Sequence, residues 1–154
     1  LLNRIKIGVS IVLLSIIILL LGLLIDTPTE HAKFVVYGFV DAAIEGDVQG
    51  AMSFITSDVV LIDDWRGRSG TTKQDVRDSI VELHKRYTIS YNTVLRFVPI
   101  EREDDVLVEL SMFSRLSGIG TVPSRWRLLV RPVAADEWKI YSIDAIEIAG
   151  RSYR

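Results

Sequence analysis

The sequence predicts an α+β domain carried behind one transmembrane helix. Two observations support this. An uncharged, almost wholly aliphatic run occupies Ile7 to Ile25. Beyond it, helical periodicity fills the first half of the chain and strand periodicity the second, and such segregation marks α+β and not α/β. The strands are joined by short connections, which predicts an antiparallel meander.

The apolar run is interrupted only by Gly8, Ser10, Ser15 and Gly22. Its nineteen residues reach ~28 Å at helical rise, about the hydrocarbon thickness of a bilayer. A cleaved signal peptide would have a shorter apolar region and a small-x-small site, and Leu23-Leu24-Ile25-Asp26 offers none. A core helix would show a polar stripe, and this run has none. Arg4 and Lys6 precede it, whereas Asp26 and Glu30 follow with Lys33 the one nearby base. The positive-inside rule then places residues 1–26 as a cytoplasmic stub plus span, and residues 27–154 outside the cytoplasm. The chain opens on Leu1 and not Met, so a longer head could precede it. The expected first partner is the lipid bilayer, through Ile7–Ile25.

All 20 acidic residues but only sixteen of the 18 basic ones follow the run, a formal charge of −4 for the domain. That argues against nucleic acid as a partner and against a domain held flat on anionic lipid. There is no cysteine, hence no disulfide, thiol chemistry or cysteine metal site.

Thr27-Pro28-Thr29-Glu30 combines an N-cap, a proline at the first helical position and a capping-box glutamate. Ala32, Val35, Val36, Phe39, Val40 and Ala43 follow at helical spacing, and Gly46 ends the helix. Asp47 can cap a second, short helix through Phe54. Ser57 to Ile62 reads as a strand, and Asp63 to Gly70 as a polar, glycine-broken loop. Thr71, with Gln74 three residues on, opens a third helix with Val76, Ile80, Leu83, His84 and Tyr87 on one face. Asp75 and Asp78 near its start and Lys85 and Arg86 at its end suit the helix dipole. Four strands follow at Ile89–Val98, Val106–Leu116, Arg125–Val133 and Trp138–Glu147. The expected core includes Phe39, Phe54, Leu83, Trp126, Leu128, Trp138 and Ile140.

Three local patterns resemble the nuclear transport factor two-like superfamily. One is the helix running into Glu45-Gly46-Asp47-Val48 and a short helix before a strand. Another is the glycine-bearing loop leading into Lys73–Tyr87. The third is the final hairpin, Arg125-Trp126-Arg127-Leu128-Leu129-Val130 followed by Glu137-Trp138-Lys139-Ile140. The likeness spans roughly Thr29 to Glu147. It implies a cystatin-like cone: a curved antiparallel sheet packed on N-terminal helices around an apolar pocket. SnoaL-like cyclases, ketosteroid isomerases and many non-enzymatic modules share this fold, which therefore does not give function. The resemblance implies a pocket lined by Tyr37, Trp65, His84, Tyr87, Trp126 and Trp138.

His84 falls on the apolar stripe of the third helix and should face inward. It reads as a general base or ligand-orienting group, or more plainly as a core histidine satisfied by one hydrogen bond. Asp63 and Asp64 lie near the expected mouth, and at most one can point in. Trp138, Ile140, Ser142 and Asp144 share one face at strand period, so Asp144 could join His84 as an acid–base pair. The plainer reading of these aspartates is a solvated turn and a strand-end hydrogen bond. Arg125, Arg127 and Arg131 share a face on one strand, and Glu109 and Phe113 share one on its neighbour. That surface suits a protein partner or a second copy, or is an ordinary solvated face with cross-strand ion pairs. No metal or cofactor is expected: His31 and His84 are far apart in sequence, and no phosphate loop or nucleophile elbow occurs.

The sequence thus favours a membrane-anchored, extracytoplasmic binding or assembly module without catalysis. One span followed by this fold resembles, in architecture alone, the periplasmic assembly component of type IV secretion systems. Two alternatives stand beside it: a pocket enzyme of the isomerase, cyclase or dehydratase kind using His84 and a carboxylate, and a carrier of a small apolar ligand.

Overall fold

A computed structural model of the chain describes residues 27–63 and 68–152. The first helix, α1 (Pro28–Glu45), is set by both its ends. Thr27 Oγ1 accepts the Glu30 N–H and the Glu30 carboxylate accepts the Thr27 N–H, each at 3.2 Å. This is the reciprocal capping box expected from the sequence. At the other end Gly46 turns the chain left-handed at φ 79° and returns its N–H to the Ala42 carbonyl. Helix α2 (Val48–Ser53) starts where Asp47 Oδ1 accepts the Gly50 N–H at 2.9 Å. Gly38, a poor residue for mid-helix, has its reason in packing: a Cβ there would come 2.4 Å from Phe54 Cζ. The Phe54 ring therefore lies directly on the α1 backbone.

Strand β1 (Ile55–Asp63) pairs antiparallel with β2 (Arg68–Thr71). The second of these lies in the stretch read as loop, a correction: glycines flag a bend but do not forbid two or three ladder pairs beyond it. Helix α3 (Lys73–Arg86) starts one residue later than the spacing predicts. Its N-cap is Thr72, whose backbone N–H and hydroxyl both donate to Asp75 Oδ2, at 2.7 and 2.8 Å. Gln74 instead donates to Asp78 at 2.8 Å. Lys73 Nζ donates to the Ile55 carbonyl at 3.1 Å and ties α3 to β1.

The meander follows as β3 (Ile89–Glu101), β4 (Val106–Leu116), β5 (Gly120–Ala134) and β6 (Glu137–Ile148), with a short return strand β7 (Arg151–Ser152). Strand order is β2-β1-β6-β5-β4-β3, with β7 on β6. All neighbours are antiparallel except β1 and β6, which run parallel. The sheet is thus mixed, which corrects the expected purely antiparallel one. No hairpin joins β1 to β6, so no turn dictates their relative direction.

The helices cover one face of this sheet. Val35, Val36 and Val40 of α1 and Val76 and Ile80 of α3 bury themselves against Val106, Val108, Leu110, Leu128, Val130 and Ile140. Of the expected core, Leu128 and Ile140 are fully inside, whereas Phe39, Phe54, Trp126 and Trp138 pack against the core while partly exposed. Trp138 stacks on His31 of α1, ring centroids 5.4 Å apart. Two register slips interrupt β6: Leu129 pairs with Ser142 but Val130 with Ile140, and Trp126 pairs with Ala145 but Arg125 with Glu147. Tyr141 and Ile146 are the extra residues, and each bulge reverses which face the next side chain takes.

The run Ile7–Ile25 lies outside the described residues, as do Asp64 and Trp65. Among the described residues no helix is long and apolar enough to cross a membrane.

Candidate functional site

The helices do not fill the concave face of the sheet, and a cavity of about 370 Å³ remains between them and it. Its walls follow from strand period. Leu110, Met112, Ser114 and Leu116 alternate along β4, and Val122, Ser124, Trp126 and Leu128 along β5. The bulges of β6 then bring Ile143, Ala145 and Ile148 to the same side. Phe39, Val40, Ala43 and Ile44 of α1 and Val76, Ile80 and Leu83 of α3 close it from above. Leu110, Leu128 and Ile143 form a buried floor, whereas Leu83, Ile89, Leu116, Val122 and Ile148 are partly exposed and form a rim.

Among the described residues, no charged side chain lines this cavity. Its polar side-chain groups among the described residues are three hydroxyls, of Ser79, Ser114 and Ser124, and the Trp126 indole N–H. Ser79 is exposed. Ser114 donates its proton to Asn92 Oδ1 at 2.9 Å. Ser124 is buried and accepts from Trp126 Nε1 at 2.9 Å.

Among the expected pocket residues, Trp126 lines the cavity. The others described do not, and each has a local reason. His84 lies at the margin of the α3 stripe, where the C-terminal turn of α1 crosses, and its Nε2 meets the Ala43 carbonyl at 2.8 Å. Tyr87 is the C-cap of α3. Tyr37 is on the outer side of α1, against Phe97 with ring centroids 5.5 Å apart. It shares there a shallower groove with Phe34, Gly38 and Phe54. Trp138 is occupied by its stack on His31. Asp144 faces away from the cavity, near Arg127 at 3.9 Å, because the bulge at Tyr141 breaks the face it was expected to share with Ile140. Asp63 is the last residue of β1, paired in register with Arg68. The expected acid–base pair of His84 and Asp144 is therefore not assembled.

The convex face collects the residues expected there. Arg125 pairs with Glu147 at 2.8 Å, Arg127 with Glu109 at 3.6 Å, and Arg131 with Asp58 at 2.8 Å. Phe113 is exposed among them. At one edge Asp105 is buried, accepts from the Tyr141 hydroxyl, and pairs with Arg102 at 2.7 Å. Burial and then the bond to Asp105 push the Tyr141 phenol above its ordinary pKa. The Arg131 guanidinium lies 4.7 Å over the Tyr141 ring.

Sequence reasoning passed over the three serines. Their one signal is positional: Ser114 and Ser124 fall in phase with the apolar residues of their strands.

Among solved structures, the chain is similar to an NTF2-like protein from Cytophaga hutchinsonii at 12% identity and TM-score 0.61, over 74% of this chain and 93% of that one. A protein of unknown function with a cystatin-like fold from Nostoc punctiforme aligns at 12% identity and TM-score 0.58, over 75% and 86% of the two chains. The fold is that of the NTF2-like proteins. An NTF2-like protein of unknown function from Shewanella oneidensis matches at 15% identity and TM-score 0.59, over 77% of this chain and 98% of its own. At these identities the likeness is one of NTF2-like fold alone. No family model matches the sequence, and no curated protein does.

Proposed function

We propose that this NTF2-like domain is a non-catalytic binding module that takes a small, uncharged, apolar molecule into its cone. The run Ile7–Ile25 holds it at a membrane, with the domain on the extracytoplasmic side. The observation that carries the ligand reading is the cavity of about 370 Å³ with no charged lining residue among the described residues. Its size is at the lower end of small-molecule pockets. An ionic ligand would lose hydration there with no counter-charge to offset it. Proton-transfer chemistry would need a base at the ligand, and the His84 imidazole is bonded to a helix carbonyl instead. The convex face offers a partner less, because Arg125, Arg127 and Arg131 each already have a carboxylate on the domain's own surface.

The test uses the full chain in lipid nanodiscs and the neutral fluorophore N-phenyl-1-naphthylamine. Wild type is expected to bind it saturably above the nanodisc background. Ala145→Phe, which puts a ring into the cavity, is expected to weaken binding ~10-fold or more while the fold is retained by circular dichroism. Equal titrations for the two proteins would remove the cavity reading.

A further inference from the structure

The cavity is not uniformly apolar, and the one buried hydroxyl that lines it among the described residues is asymmetric. Ser124 is only 7% exposed. Its oxygen accepts the Trp126 indole N–H at 2.9 Å, which spends the single donor that tryptophan has. The Ser124 proton itself meets no acceptor among the described residues. A buried donor left without a partner costs more than a made hydrogen bond contributes on balance. The bond it accepts also polarises its own O–H, since linked hydrogen bonds strengthen one another. Ser124 is therefore set to donate.

The other two hydroxyls are not. The Ser114 proton is committed to Asn92 Oδ1 at 2.9 Å, and Ser79 is exposed at the rim. Position matters as well. Ser124 is one step along β5 from the rim residue Val122 and two steps from the floor residue Leu128, and it pairs with Met112 and Ile148. A ligand bound to it would hold its polar end near the mouth and its apolar body against Leu110, Leu128 and Ile143.

We propose that Ser124 is the polar anchor of the cavity, donating to a carbonyl oxygen or equivalent acceptor on an otherwise apolar, uncharged ligand. This rests on the cavity reading above and adds the chemical class of the occupant.

The test compares two molecules of one shape, 2-acetylnaphthalene and 2-isopropenylnaphthalene, in which a carbonyl oxygen is replaced by a methylene. Each is titrated against full-length protein in nanodiscs by quenching of tryptophan emission. Lipid partitioning cancels in the ratio of wild type to variant. Ser124→Ala is expected to weaken the ketone ~5- to 10-fold and leave the alkene unchanged, the equivalent of one hydrogen bond. Ser124→Thr, which keeps the hydroxyl, is expected to retain the ketone preference. Equal losses for both molecules, or a ketone preference that survives in Ser124→Ala, would overturn the proposal. A second measurement needs no variant: the carbon-13 carbonyl resonance of labelled ketone should move downfield on binding, relative to its value in alkane. An unmoved resonance in the bound state also overturns it. Failure of both molecules to bind wild type removes the cavity reading itself. Binding of both without a difference removes Ser124 alone.

Discussion

The Ala42 carbonyl receives two N–H groups at the end of α1, from Gly46 and Asp47, and the Ala43 carbonyl next to it receives the His84 ring instead. His84 is thus a C-terminal cap for a helix about forty residues upstream of it, and the one hydrogen bond fastens α3 to the end of α1. Gly46 makes room: its φ of 79° favours glycine, and a Cβ there would already stand 3.3 Å from the imidazole. His84→Gln keeps polarity and approximate volume but not the geometry. It is expected to lower unfolding stability by ~1–2 kcal/mol in urea titrations while leaving fluorophore binding at wild-type affinity. Lost binding with unchanged stability would instead return His84 to the ligand. The apolar stripe of α3 made a partly buried His84 legible in the sequence. Its partner was not, because the crossing of α1 over α3 is a tertiary fact.

Strand period is reliable until a strand carries an extra residue. Along β4 and β5 the alternation read from the sequence holds, and Leu110, Met112, Trp126 and Leu128 share one face as it requires. In β6 two bulges reset it, so Asp144 moved from the expected pocket to the outside. The first bulge has a visible partner. Tyr141, the extra residue, turns out to meet buried Asp105 across the sheet surface. The folded domain holds the Tyr141 proton more tightly than the unfolded chain does, because of burial and then the Asp105 bond. An ordinary tyrosine loses its proton near ~10. Stability is then expected to be insensitive to this group below that pH. It should fall as pH rises from there through the higher folded value, where the unfolded chain binds fewer protons. Tyr141→Phe should flatten that alkaline decline in urea titrations. It should also cost ~1–3 kcal/mol at neutral pH, where Asp105 loses a donor.

For the whole molecule, the order of helices before strands was enough to read the α+β class from the sequence, since each element's period depends only on its own residues. The cone was implied by the resemblance to the nuclear transport factor two-like superfamily. The place of β1 was not legible, because pairing with β6 is decided by neither strand alone. The membrane reading likewise comes from sequence, from Arg4 and Lys6 ahead of Ile7–Ile25. Reporter fusions after Arg154 are expected to be active when the reporter requires export and silent when it requires the cytoplasm. The reverse pattern would invert the topology. The parallel pairing of β1 with β6 also has a consequence for synthesis. Ile55 and Ile140 are neighbours in the sheet although about 85 residues apart in the chain, a separation of the kind that slows folding. While the chain is being made, β1 waits for its main partner until the last long strand has emerged, and so does the wall that Ile143, Ala145 and Ile148 give the cavity. A chain stopped before Glu137 would hold no half-cone. It would be left with three helices and a set of apolar strands that lack their last partner, a target for chaperones and proteases.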